Sequence, residues 1–168
     1  VGLLVHKGNY QLPFPVHFRY GCSSPRDILW VVSTSCQAAS RNIPMPTIWL
    51  AYIASGPNTR MFFCESAAYL LCAVASGAPS VQTPHPAKAV KVDGITPLEA
   101  QFGVDMAIAA AKLNRGQANE LVLRLLEKYE SRIEAAPSGS TYQECYDVTS
   151  GKPGDDYLRL YEGVKEEL

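Results

Sequence analysis

Two chargeable residues alternate with apolar ones in the segment Pro15–Tyr20. His17 and Arg19 are separated by one residue, so in an extended strand their side chains project from the same face. Each buried polar group needs a carboxylate, a ligand or water as its partner, and buried strands rarely carry two of them. Both are therefore candidate substrate-binding residues. The structural alternative is that Arg19 forms a buried ion pair and His17 bonds a backbone carbonyl.

Tyr52 is the strongest single candidate for a functional residue. It lies near the end of the apolar and aromatic segment 47–54, which is predicted to be a strand. A tyrosine hydroxyl can donate a hydrogen bond, and its ring can present an aromatic face to an ammonium ion. We predict a catalytic and substrate-binding role for Tyr52. The alternative is a core tyrosine whose hydroxyl is satisfied by the protein.

General catalytic motifs are absent from the sequence. The three histidines lack the spacing of metal ligands, so no metal site is predicted, and neither a nucleophile elbow nor a glycine-rich phosphate loop occurs. His85 lies between two prolines, which should exclude it from a strand ladder, and it is expected to have no catalytic role. Glu65, inside an apolar helix, is expected to be structural and to pair with Arg60 or Arg26.

Short apolar segments alternate with long helical ones along the chain. Capping residues mark several helix starts, with Ser24, Thr96 and Thr141 as the predicted caps. The first two long helices are apolar nearly all round, which predicts that both are buried between layers. Strands are predicted at 1–6, 15–20, 47–54 and 80–83, and helices at 25–40, 59–76, 97–113, 118–135 and 155–168.

This alternation predicts an α/β fold with a parallel sheet. The strands are too few for a closed barrel, so the chain is either a small open sheet or the C-terminal part of a (β/α)8 barrel. The start at Val1 rather than methionine, inside an apolar strand, favours part of a larger barrel protein. We assign residues 1–115 to barrel units and residues 116–168 to a C-terminal helical extension of the same domain.

Composition limits the class of protein. The net charge of −1 and the scattered basic residues predict no partnership with nucleic acid, and no segment is long enough to predict a membrane span. The five cysteines are odd in number and form no C-x-x-C pair. Reduced thiols in a cytoplasmic protein are therefore expected.

Several groups of residues together carry a family resemblance. They are Pro15-Val16-His17-Phe18-Arg19-Tyr20-Gly21, Gly56-Pro57 with Thr59, Met61 and Glu65, Ala75-Ser76-Gly77, Thr96 through Glu99-Ala100, and a tail that covers 135–148 and 155–163. This set resembles the pyrrolysine-containing monomethylamine:corrinoid methyltransferases of methylotrophic archaea. The resemblance covers nearly the whole chain, and the tail is its most specific part.

The resemblance implies a (β/α)8 barrel with additional C-terminal helices that assembles into homo-oligomers. It implies transfer of a methyl group from monomethylamine, or a related methylated amine, to the cobalt of a corrinoid on a separate protein. The chain itself is expected to bind no cofactor tightly. The catalytic pyrrolysine and two active-site glutamates of the family would lie before Val1, and the corrinoid would approach near Tyr52, Tyr20 and Gly21.

The sequence departs from the family at one position of the amine pocket. A family triplet of glutamine, an aromatic residue and tyrosine corresponds to Leu50, Ala51 and Tyr52. Tyr52 is kept, but Leu50 replaces the glutamine. Loss of an amide that bonds a small polar substrate costs about 1–3 kcal/mol. A bulkier or more methylated amine, or a different methyl donor, would tolerate the leucine better.

Two other interpretations stay open. The first is a non-catalytic relative that acts as an assembly module or as a corrinoid-protein-binding module, which Leu50 favours slightly. The second is an independent small α/β protein whose likeness to the family is coincidental. In that case the apolar first strand would need a covered or charged edge, and the sequence shows neither.

Overall fold

The computed structural model describes residues 9–43 and 45–167. The strand predicted at 1–6 therefore lies outside the described residues. The helices are α1 (Arg26–Asn42), α2 (Arg60–Ala75), α3 (Pro97–Ala110), α4 (Arg115–Tyr129), α5 (Tyr142–Cys145) and α6 (Asp155–Glu167), and the strands are β1 (Ile48–Trp49), β2 (Ser80–Val81), β3 (Tyr146–Asp147) and β4 (Lys152–Pro153). Short 3₁₀ turns occupy Ala87–Ala89 and Glu130–Arg132.

Three extended segments run parallel, and β1 lies in the middle. Trp49 of β1 pairs with Val81 of β2 on one side, and Thr47 forms a parallel bridge with Gln11 on the other. α1 connects the first segment to β1, and α2 connects β1 to β2. The described residues therefore contain two successive strand–helix–strand units, the repeat on which a parallel α/β sheet is built.

The segment 15–20 is a loop, so the strand predicted there is wrong. The N–H of His17 donates to the carbonyl of Cys22, and the carbonyl of His17 accepts from the N–H of Gly21, both at 2.8 Å. Gly21 has a φ of 64°, which lets the chain reverse without a clash. Because the chain turns here, His17 and Arg19 do not share one face of a strand.

α2 is the central helix of the fold. It packs against α1, α3, α4 and α6, and it is buried on all sides along most of its length, as predicted. The same prediction is wrong for α1. Only one face of α1, with Leu29, Val32 and Cys36, is buried, while Trp30 is 69% exposed. Thr34, Ala38 and Arg41 lie on the opposite face, which is exposed to solvent as is usual for an outer helix.

Two of the three predicted helix caps are confirmed. Thr96 and Thr141 each form a reciprocal capping box with a glutamate three residues later, although the helix that begins after Thr141 has only one turn. Ser24 does not cap α1, whose N-cap is Pro25. The hydroxyl of Ser24 donates to Glu65 instead, because a fully buried carboxylate needs the donor more than an exposed helix end does.

The C-terminal part packs on the units that precede it. α4 lies against α2 and ends at Tyr129 rather than at the predicted residue 135. β3 and β4 form an antiparallel hairpin, and α6 buries Tyr157, Tyr161 and Val164. The division into residues 1–115 and 116–168 stays a prediction.

Three structural findings concern the cysteines, metal-binding groups and membrane-spanning helices. All five cysteines are free thiols, and burial raises the pKa of Cys72 and of Cys145 to about 11. Within residues 9–43 and 45–167, no group of three or more His, Cys, Asp or Glu side chains is arranged to hold a metal ion. None of the helices in the described part of the chain combines the length and the apolar character needed to cross a membrane.

Candidate functional site

The candidate site lies at the carboxyl ends of the three parallel segments, where the loops that follow them meet. The N–H of Ser23 donates to the carbonyl of Tyr52 (2.6 Å), which joins the first loop to the central segment. The N–H of Ala87 donates to the carbonyl of Ser55 (2.8 Å), which joins the third loop to the second. Functional sites of parallel α/β folds form at this end of the strands.

Tyr52 is held from both neighbouring segments. Its N–H donates to Oγ of Ser23 at 3.1 Å, and its carbonyl accepts from the N–H of the same serine. On the other side, the next residue, Ile53, donates its N–H to the carbonyl of His85 at 2.8 Å. The backbone of Tyr52 is therefore fixed, and the half-buried ring projects from a defined position.

The ring of Tyr52 lies in the middle of three rings. Alternate residues of the segment face opposite directions, and Ala51 and Ile53 are fully buried beneath the helices. Tyr52 therefore projects to the other face. There its ring centroid lies 5.8 Å from that of Phe14 and 5.9 Å from that of His85, which it meets edge-on. We call Phe14, Tyr52 and His85 the aromatic row.

A shift in strand register places His85 beside Tyr52. Two residues separate Trp49 from Tyr52, whereas three separate their respective partners Val81 and His85. The extra residue makes a bulge, and such a bulge changes the direction of the side chains that follow it. Pro84 occupies the bulge, where it needs no N–H partner. His85 joins the ladder through its own N–H and carbonyl, so the prediction that it lies outside the ladder is wrong.

A strained turn follows directly after His85 and Pro86. Ala87, Lys88 and Ala89 have φ values of 49°, 58° and 61°, in the left-handed region. Each non-glycine residue there costs roughly 1–2 kcal/mol. The N–H groups of Ala87 and Lys88 donate to the neighbouring carbonyls of Ser55 and Ile53, at 2.8 and 2.7 Å, and so hold the turn. Strain of this kind clusters at functional sites.

Glu65 anchors the loops from inside α2. Its side chain is fully buried and accepts four hydrogen bonds. The N–H groups of Ala54 and Ser55 donate to it at 3.0 and 3.1 Å, and the hydroxyls of Ser24 and Ser55 complete the set. One carboxylate thus ties together the loop before α1 and the loop that follows Tyr52.

The charged partner predicted for Glu65 is not found among the described residues. Arg26 pairs with Glu130 at 2.9 Å, and Arg60 pairs with Glu167. The prediction of an arginine partner is wrong because neutral donors from the two loops already satisfy both carboxylate oxygens. Burial raises the pKa of Glu65, and the four hydrogen bonds oppose that rise only in part.

His17 and Arg19 organise the loop that leads to Ser23. Nδ1 of His17 accepts from the N–H groups of Arg19 and Tyr20 at 3.2 and 3.3 Å, and its ring stacks on Tyr20 with centroids 4.4 Å apart. Arg19 is exposed and pairs with Glu134 at 2.6 Å. The structural alternative was a buried ion pair for Arg19 and a backbone carbonyl as the partner of His17. It is also wrong, because the ion pair of Arg19 is exposed and His17 accepts from backbone N–H groups. Their role in substrate binding stays a prediction.

The tail segment crosses the loop that follows Tyr52. The N–H of Gly56 donates to the carbonyl of Pro137 at 2.8 Å, and the N–H of Ser140 donates to the carbonyl of Pro57 at 3.0 Å. These two bonds run in opposite directions between the two segments. The part of the sequence with the most specific family resemblance therefore lies directly on a loop of the candidate site.

The loop that follows β2 is fastened to the same tail. Nζ of Lys91 donates to the carbonyl of Ser138 at 3.1 Å. The carbonyl of Asp93 accepts from the N–H of Tyr142 at 2.7 Å, and its side chain accepts from Nε2 of Gln143 at 2.8 Å. The tail thus holds two loops of the site in fixed positions.

A second buried carboxylate, Glu99, connects the last helix to the site. It accepts from the N–H groups of Thr96 and Asn58, at 2.8 and 3.3 Å, and from the hydroxyl of Tyr157. Burial raises the pKa of Glu99. The sequence predicted Glu99 only as a capping residue, because its contacts with Asn58 and Tyr157 come from distant parts of the chain.

The aromatic row contains two residues that the sequence did not identify as candidates. Phe14 had a signal, because Leu12, Phe14 and Val16 alternate with polar residues and prolines as a strand requires. His85 had none, because its position beside Tyr52 depends on the bulge. The structure thus brings Tyr52 together with Phe14 and His85, and places His17 and Arg19 in the loop behind them.

Two clefts between the helices lie away from this site. One of about 570 Å³ is lined by Phe102 and Met106 of α3 together with Arg124 of α4. The other, of about 220 Å³, lies beside Trp30 between α1, α2 and α4. Neither cleft includes a residue of the aromatic row, so both belong to the helix layer rather than to the carboxyl ends of the strands.

Known proteins resemble this chain along nearly its whole length. The family model of monomethylamine methyltransferase MtmB matches residues 2–168. Monomethylamine methyltransferase MtmB2 of Methanosarcina barkeri is 31% identical over 166 residues, which are 99% of this chain and 36% of that protein. MtmB of Methanosarcina mazei is 30% identical over 165 residues, 98% of this chain and 36% of that protein. The chain thus spans about a third of the length of these curated relatives.

Solved structures show the same relationship. The crystal structure of Methanosarcina barkeri MtmB matches with a TM-score of 0.93 and 29% identity, over 99% of this chain and 36% of that chain. The crystal structure of a hydroxylamine complex of MtmB matches with the same values. The predicted fold class is confirmed: the chain has the α/β fold of the C-terminal part of a (β/α)8 barrel with additional helices. The chain belongs to the monomethylamine methyltransferase MtmB family.

Proposed function

We propose that the protein with this chain transfers a methyl group from monomethylamine, or a related methylated amine, to the cobalt of a corrinoid protein. Membership of the MtmB family is the observation that carries this proposal. Because the chain spans 36% of the relatives' length, it supplies one part of such an enzyme. The aromatic row at the carboxyl ends of the strands supports a small cationic substrate at this end.

Tyr52 is the residue we assign to the amine. Its ring can attract the positive charge of an ammonium group, and its hydroxyl can hydrogen-bond to the nitrogen. The bonds from Ser23 and from the neighbouring segment fix its backbone, so little conformational freedom is lost on binding. His17 and Arg19 are proposed to support substrate binding through the loop that they hold in place.

The proposed reaction moves a methyl group from nitrogen to cobalt. The substrate reacts as the ammonium ion, so the carbon–nitrogen bond breaks, its electron pair stays on nitrogen, and the demethylated amine leaves as a neutral molecule that keeps its N–H protons. The reduced corrinoid, Co(I), is the second substrate and supplies the electron pair of the new cobalt–carbon bond. Residues of this chain would orient the amine and exclude water, and we propose that this chain holds no cofactor tightly.

Leu50 bears on which amine is the substrate. It lies two residues before Tyr52 on the same segment, so both side chains project to the same face. Leu50 is only 5% exposed, and it offers an apolar contact where an amide would offer a hydrogen bond. An apolar neighbour favours a methyl group over an N–H. A more methylated amine than monomethylamine therefore belongs to the proposal.

The proposed partner is a cognate corrinoid protein that approaches the carboxyl ends of the strands. Loops at this end carry exposed apolar side chains, among them Phe18, Val90 and Val92, which suit a protein contact. We also propose that the protein forms a homo-oligomer in the cytoplasm and uses neither nucleic acid nor membrane as a partner. Five free thiols support a reducing compartment.

The test is methyl transfer by the complete purified protein. Its corrinoid protein is reduced to Co(I) and offered mono-, di- and trimethylamine separately, and methyl–cobalt formation is followed by absorbance. We expect transfer from one of these amines, and a loss of about tenfold or more in Tyr52→Phe. Trp30→Phe, on the helix layer, is the matched control and should keep the wild-type rate.

A second candidate function is a non-catalytic binding module, and Leu50 is the observation that favours it. It predicts that the complete protein binds the reduced corrinoid protein but transfers no methyl group from any of the three amines. That result would contradict the methyltransferase proposal, provided that the same corrinoid protein accepts a methyl group from methyl iodide.

A further inference from the structure

His85 has a half-buried imidazole that lies beside the ring of Tyr52. Within residues 9–43 and 45–167, neither ring nitrogen has a hydrogen-bond partner, although the backbone of His85 is bonded on both sides. Its ring contacts Tyr52, and the bulge at Pro84 turns it to that face. A partly desolvated polar group without a partner is costly unless a ligand or water satisfies it.

The surroundings of His85 suit a small cation. No carboxylate or cation of the described residues forms an ion pair with it, and Tyr52 and Phe14 place two further rings on the same face. Burial lowers the pKa of His85 and so favours the neutral imidazole, in which one ring nitrogen is a hydrogen-bond acceptor. Aromatic faces attract an ammonium ion, and a neutral imidazole can accept one of its N–H groups.

The backbone next to His85 is held in a conformation of high energy. The left-handed turn at Ala87–Ala89 follows within two residues, and the neighbouring carbonyls of Ile53 and Ser55 hold it. Such a turn persists only where the surrounding structure fixes it. Together with the bulge, it holds His85 against the ring of Tyr52 rather than in a relaxed loop.

We propose that Phe14, Tyr52 and His85 form one amine-binding subsite, in which the His85 imidazole accepts a hydrogen bond from the ammonium group. The inference rests on the proposed function and deepens it. It adds a second polar contact for the substrate beside Tyr52, and it assigns Phe14 to the apolar wall that contacts the methyl carbon. Specificity among methylated amines then depends on how many N–H groups remain to be bound.

The experiment is calorimetric binding of methylammonium and dimethylammonium chloride to the complete protein. Variants are His85→Phe, which keeps a ring but removes the acceptor, and His85→Gln, which keeps an acceptor. Trp30→Phe is the matched control. We expect His85→Phe to weaken binding about tenfold or more, while His85→Gln stays within about threefold of the wild type. Thermal melting of each variant verifies that it is folded.

Three results would overturn the subsite. They are binding by folded His85→Phe within about twofold of the wild type, equal weakening in His85→Gln and His85→Phe, and absence of amine binding in the wild type. Methyl transfer measured on the same samples separates this inference from the proposed function. Amine binding that depends on His85 without transfer contradicts the function alone, whereas transfer that is unaffected by His85→Phe contradicts the subsite alone.

Discussion

The backbones of Gly56 and Gly139 cross in direct contact. A Cβ atom built on Gly56 would lie 1.8 Å from the carbonyl oxygen of Ser138, and one built on Gly139 would lie 2.2 Å from the carbonyl oxygen of Pro57. Gly139 also has a φ of 64°, which side chains rarely permit. Only glycine at both positions allows the tail to lie this close to the loop that follows Tyr52.

We expect Gly56→Ala and Gly139→Ala to lower the free energy of unfolding by about 3 kcal/mol or more each, because backbone atoms would have to move apart. Gly163→Ala is the matched control, since a Cβ there meets nothing within 4 Å in α6. In a helix this control should raise stability by about 0.5–1 kcal/mol. Urea unfolding measures all three variants, and a loss below about 1 kcal/mol at Gly56 would contradict the crossing.

The left-handed turn predicts a stabilising substitution. Ala89 has a φ of 61°, so Ala89→Gly should relieve strain and raise the free energy of unfolding by about 0.5–1 kcal/mol. Ala38→Gly, on the exposed side of α1, makes the same chemical change in a helix and should lower it by about 1 kcal/mol. Thermal melting measures both variants. A loss of stability in Ala89→Gly as well as in Ala38→Gly would show that the turn is not strained.

Replacement of Glu65 by glutamine, its amide, should destabilise the folded protein. In Glu65→Gln, the new NH₂ group faces an N–H donor from Ala54 or Ser55, whichever way the amide is turned. We expect a loss of about 2–4 kcal/mol in the free energy of unfolding from unpaired buried donors. Glu120→Gln, on the exposed face of α4, should change stability by less than about 0.5 kcal/mol. A loss at Glu65 as small as that of the control would show that these donors do not depend on the carboxylate.

The stability that depends on Glu65 should vary with pH. Burial raises its pKa above the ordinary value of 4.5, so the folded state favours the protonated form. The contribution is fully present below the unfolded pKa and is lost as pH rises through the folded pKa. The advantage of the wild type over Glu65→Gln should therefore shrink as the pH rises above 4.5. Urea unfolding at a series of pH values above 4.5 measures it, and an advantage that grows with pH would show a lowered pKa instead.

The sequence predicts the helices of this fold better than the strands. α2 and the capping box of α3 follow from local signals, namely a continuous apolar segment and the pair Thr96 and Glu99. The segment 15–20 alternates like a strand, but Gly21 and the ring of His17 close it into a loop. Periodicity alone cannot distinguish these outcomes, because a short alternating segment fits either.

The candidate site is only partly predictable for a related reason. Tyr52 follows from its place at a strand end and from the family resemblance. His85 depends on one extra residue in the ladder, and a run of Pro-His-Pro gives no sign of the register. The partners of Glu65 lie 10, 11 and 41 residues from it, in two different loops. Such contacts arise from packing between distant segments and leave no local pattern.

Contacts between distant residues also set the order in which this part of the protein can form. The hydroxyl of Tyr129 donates to the carbonyl of Ser24 across 105 residues, and Glu134 pairs with Arg19 across 115. The ribosome synthesises the aromatic row before Tyr129 and Glu134. The loops of the site therefore lack these two contacts in the nascent chain until the later residues have been added. Residues translated after the aromatic row therefore complete the site, and a chain that lacked Tyr129 and Glu134 would leave these loops of the site without their fixed positions.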